Sequence, residues 1–367
     1  MAEVSLAALA HNCRQACALV GSRVRVIAVV KADGYGHGAV AAARAFVRGG
    51  AAMLGVSSLA EGVELRRAGV DTAIVVLGGL FAGEAEDAIA HDLAAAVWTR
   101  DGAEAFAAAA RAAGRRAQAH VKIDTGMTRL GLDAGDVAGF GRALARLDGL
   151  AVAGVFSHLA SADDVTQAAV ARQIERFDAA VRALHEAGVR PGLVHLANSA
   201  AVLAAPHAHY DAVRPGIMLY GYAPAPHLAA RADLRPAMRL VTRIVQVRRV
   251  PAGRAVGYGG TWVAARPSVI AALPVGYADG YHRLASNRAE VLVRGRRVPV
   301  AGRVCMDHVM LDVTDVPDVQ ANDRAILFGA EAGVAVTGDE LAAWCETIPY
   351  EVLTAVGKRV PRVYVEE

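Results

Sequence analysis

The residues with the most chemistry to offer lie in one short run, Val29-Val30-Lys31-Ala32-Asp33-Gly34-Tyr35-Gly36-His37-Gly38. It closes a stretch of β-branched and small apolar residues that reads as a buried strand. A lysine at the mouth of a buried strand is costly to desolvate. Either it snorkels its ammonium to solvent, or it has a task there. The chain holds only three lysines, Lys31, Lys122 and Lys358, among 39 lysines and arginines. Where arginine serves almost everywhere, a retained lysine marks a place where arginine cannot act. Arginine, with a pKa above ~12, keeps its proton, whereas a desolvated lysine becomes a neutral nucleophile or base. Schiff-base chemistry is the first expectation for Lys31.

Such a residue needs a frame. Strand-like runs at 26–30, 53–56, 73–77, 94–98, 118–123, 152–157, 193–196 and 212–213 alternate with Ala-, Arg- and Glu-rich segments of helical spacing, such as 39–48, 59–68, 102–113 and 165–187. Eight strands, most followed by a helix pattern, predict right-handed βαβ units closing into a (β/α)8 barrel. A doubly wound open sheet is the alternative. Eight repeats and no G-x-G-x-x-G after the first strand count against it.

A barrel presents its functional residues at the C-terminal ends of its strands. Lys31 follows strand one, and Lys122, Asp124 and Arg129 lie in or just past strand five. Ser157 and His158 end strand six, His195, Asn198 and Ser199 end strand seven, and Arg214-Pro215-Gly216-Ile217 follows strand eight. The loops after strands seven and eight often hold phosphate. Here they offer the Ser199 hydroxyl and the N–H groups around Gly216 and Ile217. Singly, these residues have plain explanations: a helix cap for Ser199, a core histidine for His158, an ion pair for Arg214. Their joint placement on one rim points to a site.

Beyond about residue 236 the rhythm changes. Runs at 238–250, 269–275, 290–293, 297–304, 309–313, 325–328 and 362–365 predict a mostly-β domain, with one helix over 338–345 and a shorter one over 350–357. Two domains are expected, 1–235 and 236–367, as the length requires. Val256-Gly257-Tyr258-Gly259-Gly260 and Gly276-Tyr277-Ala278-Asp279-Gly280 set tyrosines among glycines. Such tyrosines are ordinary turn aromatics, unless an exposed loop tip carries one into another subunit's barrel mouth.

Composition narrows the class. Hydrophobic residues make up 54%, mean hydropathy is +0.31 and the formal charge is +3. Arginines scattered among acids give no nucleic-acid patch. The uncharged stretch 191–210 carries Asn198, Ser199, Pro206 and three histidines and makes a poor bilayer segment. No basic run followed by an apolar core opens the chain, so a cytoplasmic protein is expected. Cys13 and Cys17 share a helix face, Cys305 and Cys345 stand apart, and neither a disulfide framework nor a zinc site is predicted.

The ordered set of motifs resembles the bacterial alanine racemases, pyridoxal-phosphate enzymes built from a barrel and a β domain. The similarity runs through 29–38, Lys122–Gly131, Ser157-His158, Ala197-Asn198-Ser199, 214–221, 257–261 and Arg303-Val304-Cys305-Met306-Asp307. Two departures stand out, a short N-terminal strand with Ser5 where the family usually has an acid, and the atypical loop Gly78–Gly83. The resemblance implies that Lys31 holds pyridoxal 5'-phosphate and then serves as the base on one face of the substrate Cα. Tyr258, from the partner in a homodimer, serves the other face. It places Arg214 at the cofactor's ring nitrogen with His158 beside it. Tyr35, Asn198, Ser199, Gly216, Ile217 and Tyr364 would bind the cofactor and its phosphate. Arg129, Met306 and Tyr277 would meet the amino-acid substrate, a carbamylated Lys122 would orient Arg129, Asp307 would support the entrance near Tyr258, and His195 would support the site from a second layer. No metal is implied. The implied activity is interconversion of L- and D-alanine for peptidoglycan, with a broader racemase that also takes serine as the alternative. A barrel-type decarboxylase would carry an acid at the ring nitrogen and a cysteine-acid motif in its β domain, where this chain has Arg214 and Met306-Asp307. A cofactor-carrier protein would lack the β domain.

Overall fold

Between Arg25 and Val213, eight parallel strands alternate with helices in the computed structural model, which describes residues 1–366. Glu367, the last residue of the expected second domain, lies outside the described residues. The strands are Arg25–Val29, Met53–Val56, Ile74–Val76, Ala94–Val97, Ala117–Asp124, Leu150–Phe156, Val194–His195 and Ala212–Val213. Their order in space follows their order in sequence. Val194–His195 pairs with Ala212–Val213, which pairs back onto Arg25–Val29, so the sheet closes as the expected (β/α)8 barrel. Strands of β-branched and small residues suit this frame, since a parallel sheet is buried on both faces. Inside the barrel, Ile27, Val75 and Ala212 pack with Met53, Leu77 and Ala94. Its helices begin where sequence says they should. Ser58 and Glu61 form a reciprocal capping box for Leu59–Arg67, and Thr99 caps Arg100–Ala112.

The chain divides into two units, one of Ala7–Gly34 and Ala39–Arg235, the other of Met1–Leu6, Tyr35–Gly38 and the segment from Pro236 onward. In the second unit a mixed sheet runs Arg296–Pro299, Glu290–Val293, Arg324–Glu331, Met238–Arg243, Ala2–Ser5 and Arg362–Val365. Ala2–Ser5 is antiparallel to Met238–Arg243 and parallel to Arg362–Val365. The run expected over 238–250 is two strands. Its second half, Gln246–Val250, pairs in a separate three-stranded sheet with Ser268–Leu273, which in turn pairs Val309–Asp312. The break falls at Ile244 and Val245, whose N–H groups donate to the carbonyls of Asp323 and Ala272. Both residues are hydrophobic, so the apolar pattern runs through the break unchanged. The helices Gly338–Trp344 and Pro349–Ala355 stand where expected. No helix among the described residues is long and apolar enough to cross a membrane.

Candidate active site

Lys31 leaves the end of the first barrel strand and opens a turn of unusual hand. Ala32, Asp33, Gly34 and Tyr35 have φ of 53°, 53°, 59° and 50°, the left-handed helical region. Each non-glycine residue there costs about 1–2 kcal/mol, so other bonds must hold the turn. Gly34 N–H donates to Val30 O at 2.9 Å, Ala32 N–H to Glu61 Oε1 at 2.7 Å, and Ala39 N–H to Asp33 Oδ1 at 2.9 Å. Glu61 also accepts from Ser57 N–H at 2.6 Å, so one carboxylate ties the lysine's turn to the next strand's exit. Burial first, then the Arg129 charge, pull the Lys31 ammonium below its ordinary pKa, with Glu61 opposing. The result is a lysine readier to lose its proton.

Arg214, 4% exposed, follows strand eight. Its NH1 donates to His195 Nδ1 at 2.8 Å and His195 O at 2.9 Å, and its NH2 to Ser157 O at 2.5 Å and Leu196 O at 3.1 Å. Among the described residues it meets no carboxylate, and Nε takes no part in these bonds. The guanidinium also lies 5.0 Å from the centre of the Phe156 ring, which stacks on His195 at 8°. Burial pulls the Arg214 pKa down to about 9, still above neutrality, so it keeps its charge. Burial first, then Arg214, hold His195 well below its ordinary value.

The other cations crowd in. Lys122 Nζ donates to Leu77 O at 3.4 Å and sits 5.3 Å from the Phe156 ring centre. Burial, then Arg129, Arg214 and Lys31, lower its pKa to about 8. His158 falls to about 3 from burial and then the same cations. Arg129 is exposed, in a loop tied by Asp124 Oδ1, which accepts from the N–H groups of Gly126 and Met127. The barrel rim is thus a concentration of positive charge that an anion would relieve.

Ser199 and its neighbours supply the matching donors. Ser199 Oγ accepts from Gly216 N–H at 2.8 Å and Met218 N–H at 3.4 Å, which leaves its own proton to donate elsewhere. The buried Ile217 N–H finds no acceptor among the described residues. The cap of the helix Ser199–Ala204 is Asn198, whose Oδ1 accepts from Ala201 N–H at 3.1 Å, while its Nδ2 donates to Leu159 O at 3.4 Å. Its side chain is therefore spent on orienting the segment that carries Ser199.

In the β unit, Tyr258 stands 72% exposed on a turn in which Gly257, Gly259 and Gly260 all have positive φ. Tyr277 and Met306 are 43% and 53% exposed on two loops packed backbone to backbone. Tyr277 N–H donates to Cys305 O and Ala278 N–H to Met306 O, both at 3.1 Å, and a Cβ on Gly276 would stand 2.2 Å from Cys305 O. Arg359 clamps both loops. It donates to Asp279 at 2.7 and 3.0 Å and to Asp307 at 2.6 Å, while Asp279 accepts from Gly276 N–H at 2.9 Å. Tyr35, buried in this unit, packs 6.1 Å centre to centre from Tyr350. Tyr364 is half exposed, its hydroxyl 2.0 Å from where a Cβ on Gly38 would stand.

The family model for the alanine racemase N-terminal domain matches residues 4–224, and that for the C-terminal domain matches residues 237–364. The chain belongs to the alanine racemase family. The alanine racemase of Symbiobacterium thermophilum is 46% identical, over 99% of this chain and 96% of its own. That of Desulfovibrio desulfuricans is 44% identical, over 100% and 98%. A crystal structure of alanine racemase from D-cycloserine producing Streptomyces lavendulae matches with a TM-score of 0.95 at 38% identity, covering 99% of this chain and 96% of that one. The alanine racemase of Bacillus anthracis with bound L-Ala-P matches at 0.91 and 33% identity, covering 99% and 94%.

The alanine racemase family depends on pyridoxal 5'-phosphate, and the barrel residues fit that group. A lysine of lowered pKa suits a Schiff base, the Ser199 hydroxyl proton and the orphaned Ile217 N–H suit a phosphate, and the surplus of cations suits its charge. Among the described residues no cluster of His, Cys, Asp or Glu could hold a metal ion. Four residues escaped the sequence reading. Glu61 stood in plain sight as the last residue of a Ser58-Leu59-Ala60-Glu61 capping box. Tyr350, Arg359 and His120, the last of which bonds His195, carry no local signal.

Proposed function

We propose that this chain is an alanine racemase working by two bases, Lys31 on one face of the substrate Cα and Tyr258 of a second copy on the other. The observation that supports it best is a division of labour. A lysine of lowered pKa stands at the barrel rim, and a tyrosine stands 72% exposed on a glycine-sprung loop tip of the β unit. When bound, pyridoxal 5'-phosphate supplies a ring that spreads the negative charge left at Cα. Lys31 Nζ holds that ring covalently and, when displaced by substrate, takes or returns the proton on its face. Tyr258 Oη does the converse, so either enantiomer can enter and the other can leave. Ser199 Oγ–H and the Ile217 N–H would grip the phosphate, with the Gly216 N–H holding Ser199 Oγ in place. Arg214 would offer its Nε–H to the ring nitrogen; a guanidinium only donates, so unlike a carboxylate it cannot accept from that nitrogen and gives a proton there no stabilisation. Charge then stays near Cα, which favours reprotonation there over proton transfer elsewhere. Arg129, with Met306 and Tyr277 of the second copy, receives the substrate carboxylate. The product would serve peptidoglycan synthesis in the cytoplasm.

The test is incubation of the cofactor-loaded protein with L-alanine in deuterated water. Deuterium at Cα together with D-alanine is expected, and retained chirality with no α-deuterium would overturn the reading. Tyr258→Phe should bind cofactor normally and lose roughly 10²–10⁴-fold in racemisation.

A further inference from the structure

Behind Arg214 the chain of hydrogen bonds continues one residue further than the site requires. His195 Nε2 lies 2.8 Å from His120 Nδ1, and both imidazoles are buried. The protons in this chain can be assigned. Arginine only donates, so His195 Nδ1, which receives Arg214 NH1, carries no proton. The His195 proton is then on Nε2 and is donated to His120 Nδ1, which leaves the His120 proton on Nε2. Both rings are neutral and both are locked in one tautomer.

The barrel is shaped around His120. Its strand, Ala117–Asp124, pairs Leu150–Phe156 with a register shift between Ala119 and His120, so that Ala119 opposes Val152 but His120 opposes Gly154. A bulge of this kind re-aims a side chain. The residue opposite must be glycine, since a Cβ on Gly154 would stand 2.4 Å from His120 Nδ1. The neighbouring Phe156 stacks on His195 and carries the Arg214 guanidinium on its ring, so one strand supports all three members. The His120 ring also lines a cavity with Met53, Gln118 and Ala153, and it makes no other protein hydrogen bond among the described residues.

We propose that His120 is a positioning residue of the racemase site: through His195 it fixes the tautomer that lets Arg214 be held by NH1 and NH2 with Nε left to the cofactor. It also closes the route by which a proton could reach the ring nitrogen from behind, because neither neutral imidazole has one to spare toward Arg214. The inference rests on the racemase reading for its catalytic consequence, but not for its first test.

That test is ¹⁵N NMR of the histidine rings in the protein without cofactor. His120 and His195 are expected as neutral Nε2–H tautomers from pH 8 to pH 5. A His195 protonated at Nδ1, or charged at neutral pH, would overturn the proposal whatever the enzyme does. The second test separates positioning from packing. In His120→Asn the side-chain oxygen can stand near the old Nδ1 and still accept from His195, whereas in His120→Gln the polar atoms reach past it. The loaded Asn variant should keep the wild-type absorbance of its cofactor and its pH profile. The Gln variant should lose about tenfold in kcat/KM and show an altered absorbance and pH profile. Two variants alike in all three readouts would overturn the proposal. Failure of the wild-type protein to racemise would overturn only the proposed function, since the tautomer assignment stands or falls separately.

Discussion

Lys122 is where residue-scale electrostatics are most exposed to experiment. Its pKa of about 8 means that about a tenth of the amine is neutral at pH 7, which carbamylation by CO₂ requires. Incubation with ¹³C-bicarbonate should give a carbamate resonance that is absent from Lys122→Met, and its absence from the wild type would refute the modification. The same shift has a stability consequence in CO₂-free, cofactor-free protein. Below pH 8 the lysine is protonated in both folded and unfolded chains, and folding carries the full cost of burying the charge. Between pH 8 and the free-lysine value the unfolded chain binds more protons, so stability rises with pH. Urea titration should therefore find Lys122→Met more stable than wild type at pH 7, by roughly 1–3 kcal/mol, and the gap should narrow toward pH 10. The scarcity of lysine makes Lys31 and Lys122 legible in the sequence alone. It cannot reach His120, since a histidine in mid-strand has no distinguishing spacing and its value lies in a bulge and a glycine that only pairing reveals.

At the scale of elements, two small devices hold the catalytic groups. The left-handed turn after Lys31 leans on the Glu61 carboxylate, which accepts backbone N–H groups at both its oxygens. Glu61→Gln would face one of those donors with an amide NH₂. It should cost about 1–3 kcal/mol in thermal or urea unfolding, nearly as much as Glu61→Ala, along with a loss of kcat. A Gln variant as stable as wild type would mean the turn holds itself. In the β unit, Arg359→Met should loosen the Tyr277 and Met306 loops from each other. The expected signature is a KM for alanine that rises a few-fold with kcat less affected. Arg359 and Asp307 are each half exposed, so high salt should weaken the wild type in the same direction. Element positions were largely legible, because strand and helix periods differ so plainly in the barrel. The broken strand at Ile244 and Val245 was not, since alternation of apolar residues says nothing about which sheet each half joins.

For the whole molecule, the arrangement to test is two-subunit. If Tyr258 serves a second copy, Lys31→Ala and Tyr258→Phe protein should each be inactive alone. Mixed under conditions that exchange subunits, they should recover about a quarter of wild-type activity, the share of sites that pairs an intact lysine with an intact tyrosine. No recovery would place Tyr258 on its own chain's lysine. The barrel-plus-β plan could be read from the change of rhythm near residue 236, but the β sheet's use of Ala2–Ser5 could not, because pairing partners this far apart leave no local trace.

That sheet has a consequence for how the protein is made. Ala2–Ser5 is synthesised long before its parallel neighbour Arg362–Val365. At roughly 5–20 residues per second the early strand waits on the order of half a minute, while the barrel that follows it can already have folded. A nascent chain halted before residue 362 therefore carries a finished barrel and a strand with one edge open. On a crowded messenger its neighbours present the same open edge, so prompt synthesis of Arg362–Val365 guards the protein against cross-pairing with its own copies.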